Sequence, residues 1–134
     1  MKKFNSILLV EDDPIAIIVC DRIIKLNNFT DNLITKENGK EALKYIQSLL
    51  EENKPLPEVI LLDINMPIMN GWDFLNEYET LLDKIANPPM IFILSSTADP
   101  NDFSKTTLYN FVKDFIPKPF NKEHLSLIES YCED

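Results

Sequence analysis

Apolar residues along this chain come in short unbroken runs, each stopping at a polar group. Ile7-Leu8-Leu9-Val10 ends at Glu11-Asp12-Asp13, and Val59-Ile60-Leu61-Leu62 ends at Asp63. Met90-Ile91-Phe92-Ile93-Leu94 ends at Ser95-Ser96, and Asp114-Phe115-Ile116 runs into Pro117-Lys118-Pro119. Asn32-Leu33-Ile34-Thr35 is a shorter run of the same kind. Runs this uniformly apolar predict strands buried on both faces. Between them the apolar spacing turns helical. Asp13 is placed to cap a helix and Pro14 to open it, with Ile15, Ile18, Val19, Ile23 and Leu26 following helical spacing. Asn38-Gly39-Lys40-Glu41 resembles a capping box, ahead of Ala42, Ile46, Leu49 and Leu50. Gly71 leads into a helix carrying Phe74, Leu75, Tyr78, Leu82 and Ile85, broken by Asn87-Pro88-Pro89. Asp99-Pro100 restarts a helix, the least apolar, with Phe103, Leu108 and Phe111 as core candidates. Asn121 caps a last helix with Leu125, Ile128 and Cys132 inward.

The pattern is five βα units with no repeat, low-complexity segment or linker. It predicts a single α/β domain over about residues 4–132: a parallel sheet covered by helices. Right-handed crossovers place all strand C-termini on one edge, where open α/β sheets bind ligands. Composition agrees: 134 residues with 45% hydrophobic content suit one domain with a real core. No apolar run approaches the ~20 residues that span a bilayer. The basic start, Met1-Lys2-Lys3, precedes too short an apolar stretch for a signal sequence. The expectation is a soluble, cytoplasmic protein without membrane contact. A net charge of −9 argues against non-specific nucleic-acid binding and is compatible with a cation site. Cys20 and Cys132 lack a C-x-x-C spacing and are expected to be buried, reduced thiols at helical positions.

The strand ends carry the candidate chemistry. Glu11 and Asp12 alone read as a solvated acidic turn, but Asp63 ends a neighbouring strand. Carboxylates ~4 Å apart repel by roughly 4 kcal/mol at an effective dielectric near 20. Such a cluster needs a proton, a cation or a relaxed geometry. Oxygen ligands without His or Cys suit a hard ion such as Mg2+. Lys118 reads either as a surface lysine in a turn or, stiffened by two prolines, as an aimed anion ligand. Ser95 reads as a strand terminator or as a donor to a phosphoryl oxygen. His124, the sole histidine, reads as a solvated helix residue, and Trp72 as a packing residue. The only glycines, Gly39 and Gly71, make no phosphate loop.

Four motifs in order, Glu11-Asp12, Asp63-x-Asn65-Met66-Pro67-x-Met69-x-Gly71, Ser95 and Lys118-Pro119-Phe120, resemble the receiver domain of the two-component response-regulator family. The likeness is to its stand-alone chemotaxis-regulator type. It implies a flavodoxin-like, doubly wound sheet of strand order 2-1-3-4-5. A member of this family is itself an example behind the rule that ligands sit at the strand-order switch point. The resemblance further implies Asp63 as phosphoacceptor. It implies Mg2+ held by Asp12, Asp63 and the Asn65 backbone carbonyl, with Glu11 acting through a bound water. Ser95 and Lys118 would contact phosphoryl oxygens, and Ser95 and Phe115 would form the switch. The Lys118–Pro119 bond is often cis in the family. Ser95 stands where Thr is commoner yet keeps the hydroxyl, and Phe115 has no hydroxyl, so a switch there works by packing.

The implied function is a phosphorylation-controlled switch in a phosphorelay, fed by the phosphohistidine of a histidine kinase or histidine phosphotransfer protein. A downstream protein target would bind the face of the fourth helix, fifth strand and fifth helix. The chain is then not an enzyme but a phosphoacceptor that assists its own phosphorylation and dephosphorylation. With no output domain after the last helix, it is expected to act by binding, relaying or competing for phosphate. Two other readings stand beside this one. A phosphorylation-independent docking module, a degenerate receiver, normally loses an acid or the lysine. An aspartyl-phosphate phosphatase usually has a second Asp two residues after the nucleophile, where this chain has Asn65.

Overall fold

The computed structural model describes residues 4–96 and 100–132, apart from the side chain of Phe103. Asp99, the expected cap of the fourth helix, lies outside the described residues, as does the Phe103 side chain. The elements are β1 (Ile7–Val10), α1 (Pro14–Leu26), β2 (Leu33–Lys36), α2 (Gly39–Glu51) and β3 (Val59–Asp63). They continue with α3 (Gly71–Glu79), a 3-10 turn (Leu82–Lys84), β4 (Met90–Ser95), α4 (Pro100–Thr106), β5 (Val112–Pro117) and α5 (Lys122–Ser130). The strands are parallel and lie in the order β2-β1-β3-β4-β5. Strand order therefore reverses between β1 and β3, which puts the ligand crevice at their C-terminal ends.

Alternation along the strands divides the core into two layers. Leu8, Val10, Ile60, Leu62, Ile91 and Ile93 pack with Ala42 and Ile46 of α2 and Phe74 and Tyr78 of α3. Ile7, Leu9, Val59, Leu61, Phe92 and Leu94 pack with Cys20 and Ile24 of α1 and Leu125 and Ile128 of α5. Fully burying a side chain such as Leu or Phe contributes about 1.5–3 kcal/mol, so both layers clamp the sheet and fix its register. Among the described residues no helix is long and apolar enough to cross a membrane.

Several expectations are corrected. In α1, Ile15, Ile18 and Leu26 are 71%, 53% and 81% exposed. The seated positions are Cys20 and Ile24, with Ile17 and Ile23 packing beside them. The helix is apolar on nearly every side, so spacing alone permits more than one inward face; contact with the sheet selects one. Helix α3 ends at Glu79, not near Ile85. Leu81 N–H bonds the Tyr78 carbonyl at 2.9 Å, which tightens the chain into the 3-10 turn, and Leu82 and Ile85 pack from outside the α-helix. Leu108 is 75% exposed; Thr106 and Tyr109 are the buried residues there, and Phe111 packs on the core from beyond the helix. Cys132 is half-buried past the end of α5 rather than within it. Strand β5 is longer than its apolar run, with a register irregularity opposite Ile91 and Phe92.

Candidate functional site

Strand register assembles the site. β1 and β3 pair Val10 with Leu62, so Glu11 and Asp63 leave adjacent strands side by side. β3 and β4 pair Asp63 with Leu94, which places Ser95 one residue further on. β4 and β5 pair Ser95 with Pro117, and Lys118 N–H donates to the Ser95 carbonyl at 2.8 Å. Three strand pairings thus bring residues more than a hundred positions apart in sequence onto one edge.

Glu11 and Ser95 are fully buried and Asp63 is 4% exposed, whereas Asp12 is exposed. One carboxylate oxygen each from Glu11, Asp12 and Asp63 lies within 4.8 Å of the others. Lys118 Nζ stands 2.5 Å from Glu11 Oε1 and 3.5 Å from Asp63 Oδ1. The Lys118 ammonium is the counter-charge to Glu11 Oε1. Glu11 Oε2 accepts Asp13 N–H at 3.3 Å, and Glu11 N–H donates to the Lys36 carbonyl at 2.9 Å. Asp13 Oδ1 accepts Ile15 N–H at 3.0 Å, so Asp13 is the helix cap and Asp12 the pocket residue.

Electrostatics follow from burial and crowding. Burial pushes the Glu11 carboxyl above its ordinary range; the bond from Lys118 opposes this and the neighbouring Asp63 adds to it. Burial also works against the charge on Lys118, but Glu11 and Asp63 outweigh it and raise its pKa. Two carboxylates beside one ammonium, with Asp12 on the open side, leave surplus negative charge among oxygen donors. That donor set fits a hard divalent cation that keeps part of its water shell.

The remaining expected residues fall as follows. Asn65 is exposed at the rim, its N–H 3.4 Å from Asp63 Oδ1. Phe115 is half-buried, paired with Ile93 in the sheet and packed on the α2–α3 side of the core. The Lys118–Pro119 peptide is cis. His124 is not brought to the site. It completes a capping box on α5: its Nδ1 accepts Asn121 N–H at 3.1 Å, and Asn121 Oδ1 accepts His124 N–H at 3.3 Å. Asn38 caps α2 through Glu41 N–H at 2.9 Å, while the Glu41 side chain pairs with Lys44 at 3.7 Å. Cys20 is buried behind the pocket; burial, then the charge of Glu11, pushes its thiol up to about 12.

Sequence reasoning missed the support of the loop between β3 and α3. A Cβ on Gly71 would lie 2.7 Å from the Asp63 carbonyl oxygen, and Gly71 N–H donates to the Ile64 carbonyl at 3.1 Å. Ile68, in the same loop, has φ 68° and is 79% exposed. The signal was present: both glycines of the chain lie against this loop, and neither has a positive φ. Close approach, not backbone freedom, requires them.

Comparison with known proteins agrees with this architecture. The profile of the response regulator receiver domain matches residues 7–128. A cyclic di-GMP phosphodiesterase of Thermotoga maritima is 32% identical over 122 residues, covering 91% of this chain and 29% of that protein. This chain therefore spans less than a third of that relative. The response regulator Rcp1 of Synechocystis sp. is 32% identical over 94 residues, covering 69% of this chain and 64% of that one. The Mn(2+)-bound form of Rcp1 has a TM-score of 0.75 at 27% identity, covering 95% of this chain and 93% of that one. A two-component response regulator from Cytophaga hutchinsonii has a TM-score of 0.87 at 26% identity, covering 96% of each chain.

Proposed function

This chain belongs to the response regulator receiver family, and from that premise we propose that Asp63 accepts a phosphoryl group with Mg2+ bound beside it. Membership is consistent with phosphorylation-controlled two-component signalling. The observation that carries the finer reading is the pocket itself: a buried Asp63 with Lys118 at 3.5 Å and oxygens of Glu11 and Asp12 within 4.8 Å. An Asp63 carboxylate oxygen forms the new P–O bond. The P–N bond to a donor phosphohistidine breaks, and its electron pair stays on the imidazole nitrogen. The Lys118 ammonium stabilises negative charge on the transferred group, and the Ser95 hydroxyl donates to one of its oxygens.

Asp12, Asp63 and the Asn65 carbonyl would hold the metal, with Glu11 acting through water. When bound, Mg2+ neutralises phosphoryl charge, as metal ions do in phosphoryl transfer generally. Rcp1, a similar protein, has a Mn(2+)-bound form, which supports reading this chain as one that takes a divalent ion. The chain is its own substrate rather than an enzyme acting on others. Its donors are a histidine kinase, a histidine phosphotransfer protein or a small acyl phosphate. Its target is a protein that binds the α4–β5–α5 face.

Intact mass after phosphoramidate treatment with Mg2+ tests the reading. Wild type is expected to gain one phosphoryl group and Asp63→Asn none. Equal labelling of the two would sink the assignment.

A further inference from the structure

The loop that carries Asn65 is held from outside by α2. Gly39 N–H, at the first position of α2, donates to the Met69 carbonyl at 2.9 Å. A Cβ on Gly39 would lie 2.9 Å from both Met69 Cγ and Met69 O, and 3.1 Å from Asn70 O. No side chain fits between the helix and the loop backbone. Next to this contact, Met69 N–H donates to the Pro67 carbonyl at 2.7 Å across Ile68, whose φ is 68°. That is a γ-turn in its strained hand, with a β-branched residue at its centre.

Nothing local favours this conformation. Asn28 and Asn53 are the other non-glycine residues with positive φ among those described, and asparagine tolerates that region. Ile68 does not, and at 79% exposure its side chain gains little burial in return. The turn must be held by its surroundings, and strain held in this way gathers at functional sites. The holding contacts are identifiable. Gly71 N–H closes one end of the loop on the Ile64 carbonyl at 3.1 Å. Met66 and Met69 pack onto the core from the loop. The remaining contact is Gly39.

We propose that Gly39 is a positioning residue for the acidic pocket. Its bare Cα lets the start of α2 grip the Met69 carbonyl, keep Ile68 in its left-handed turn and fix where Asn65 presents its backbone carbonyl. The consequence for metal rests on the phosphoacceptor reading; the grip itself does not.

The test compares wild type, Gly39→Ala, Ile68→Pro and Leu49→Ala. Leu49→Ala lowers stability from a buried position in the same helix, ten residues along from Gly39. Ile68→Pro forces a negative φ at an exposed position, so it removes the turn without cutting into the core. In metal-free protein, amide exchange at residue 39 should accelerate in Gly39→Ala and Ile68→Pro but not in Leu49→Ala. Calorimetric Mg2+ titration should show affinity falling roughly tenfold or more in the first two, the size seen when groups that orient metal ligands are lost. Leu49→Ala should bind like wild type. Affinity within twofold of wild type in Gly39→Ala and Ile68→Pro would overturn the proposal. So would equal losses in all three variants, since the role would then be structural only. Wild type that neither binds Mg2+ nor takes a phosphoryl group would instead sink the functional reading, and the exchange arm would still decide the grip.

Discussion

At the scale of single residues, the chain separates acids and bases that look alike in sequence. Asp12 and Asp13 are neighbours, yet one joins the pocket and the other caps α1. His124 is tied to α5 through the lone pair on Nδ1, which protonation removes. Burial lowers its pKa from the ordinary 6.5, against the charge of Glu123. The unfolded chain therefore binds the proton more readily than the folded one. The contribution of the capping box is complete above pH 6.5 and is lost as pH falls through the lowered folded value. Replacing His124 with Gln keeps an acceptor that does not titrate. Urea midpoints at about pH 8 and about pH 5, either side of the ordinary histidine range, should fall further in wild type than in His124→Gln. Equal falls would show that another group carries the pH dependence.

At the scale of elements, α4 is the least apolar helix of the sequence, and it is braced sideways to α3. Trp72 stacks on Tyr109 with ring centroids 6.0 Å apart, and Lys105 Nζ lies 4.9 Å from the Trp72 ring centroid. Tyr109 donates its hydroxyl proton to Asn76 Oδ1 at 2.8 Å. A cation–π contact at an exposed site contributes about 0.5–1 kcal/mol, so this brace can yield to a modest push. Weakly anchored elements are the ones that move. With beryllofluoride as phosphoryl mimic, amide exchange should change most across residues 100–117, and Trp72 fluorescence should shift with it. Changes confined to α1 and α2 would remove the proposed coupling from Asp63 through Ser95 and Phe115. Trp72 read from sequence as packing alone; its stack on Tyr109 and its contact with Lys105 needed α3 and α4 in place.

At the scale of the whole molecule, an acidic chain of net charge −9 concentrates three carboxylates at its switch point. A ligand that binds only the folded state stabilises by about 2.7 kcal/mol at a hundred times its Kd. Mg2+ at that excess should therefore raise the melting temperature of wild type. Asp12→Ala should lose this increment. Asp13→Ala should keep it while starting from a fold weaker by about 0.5–2 kcal/mol, the usual cost of a lost N-cap. The reverse result would place the wrong acid in the pocket.

Sequence alone determined the alternation of strands and helices, the parallel sheet and the four strand ends where chemistry collects. These follow from local pattern: apolar runs stop where polar groups begin, and caps and prolines mark helix starts. Only the tertiary structure decided which side of α1 seats, because a helix apolar nearly all round leaves its inward face to the sheet. It also decided that α3 stops at Glu79, that Tyr109 rather than Leu108 is buried near the end of α4, and that His124 completes the capping box of Asn121. The left-handed Ile68 was invisible for the same reason. Its own preferences oppose the turn, and the contacts around it include the Gly39 N–H bond to the Met69 carbonyl from α2, nearly thirty residues away in sequence.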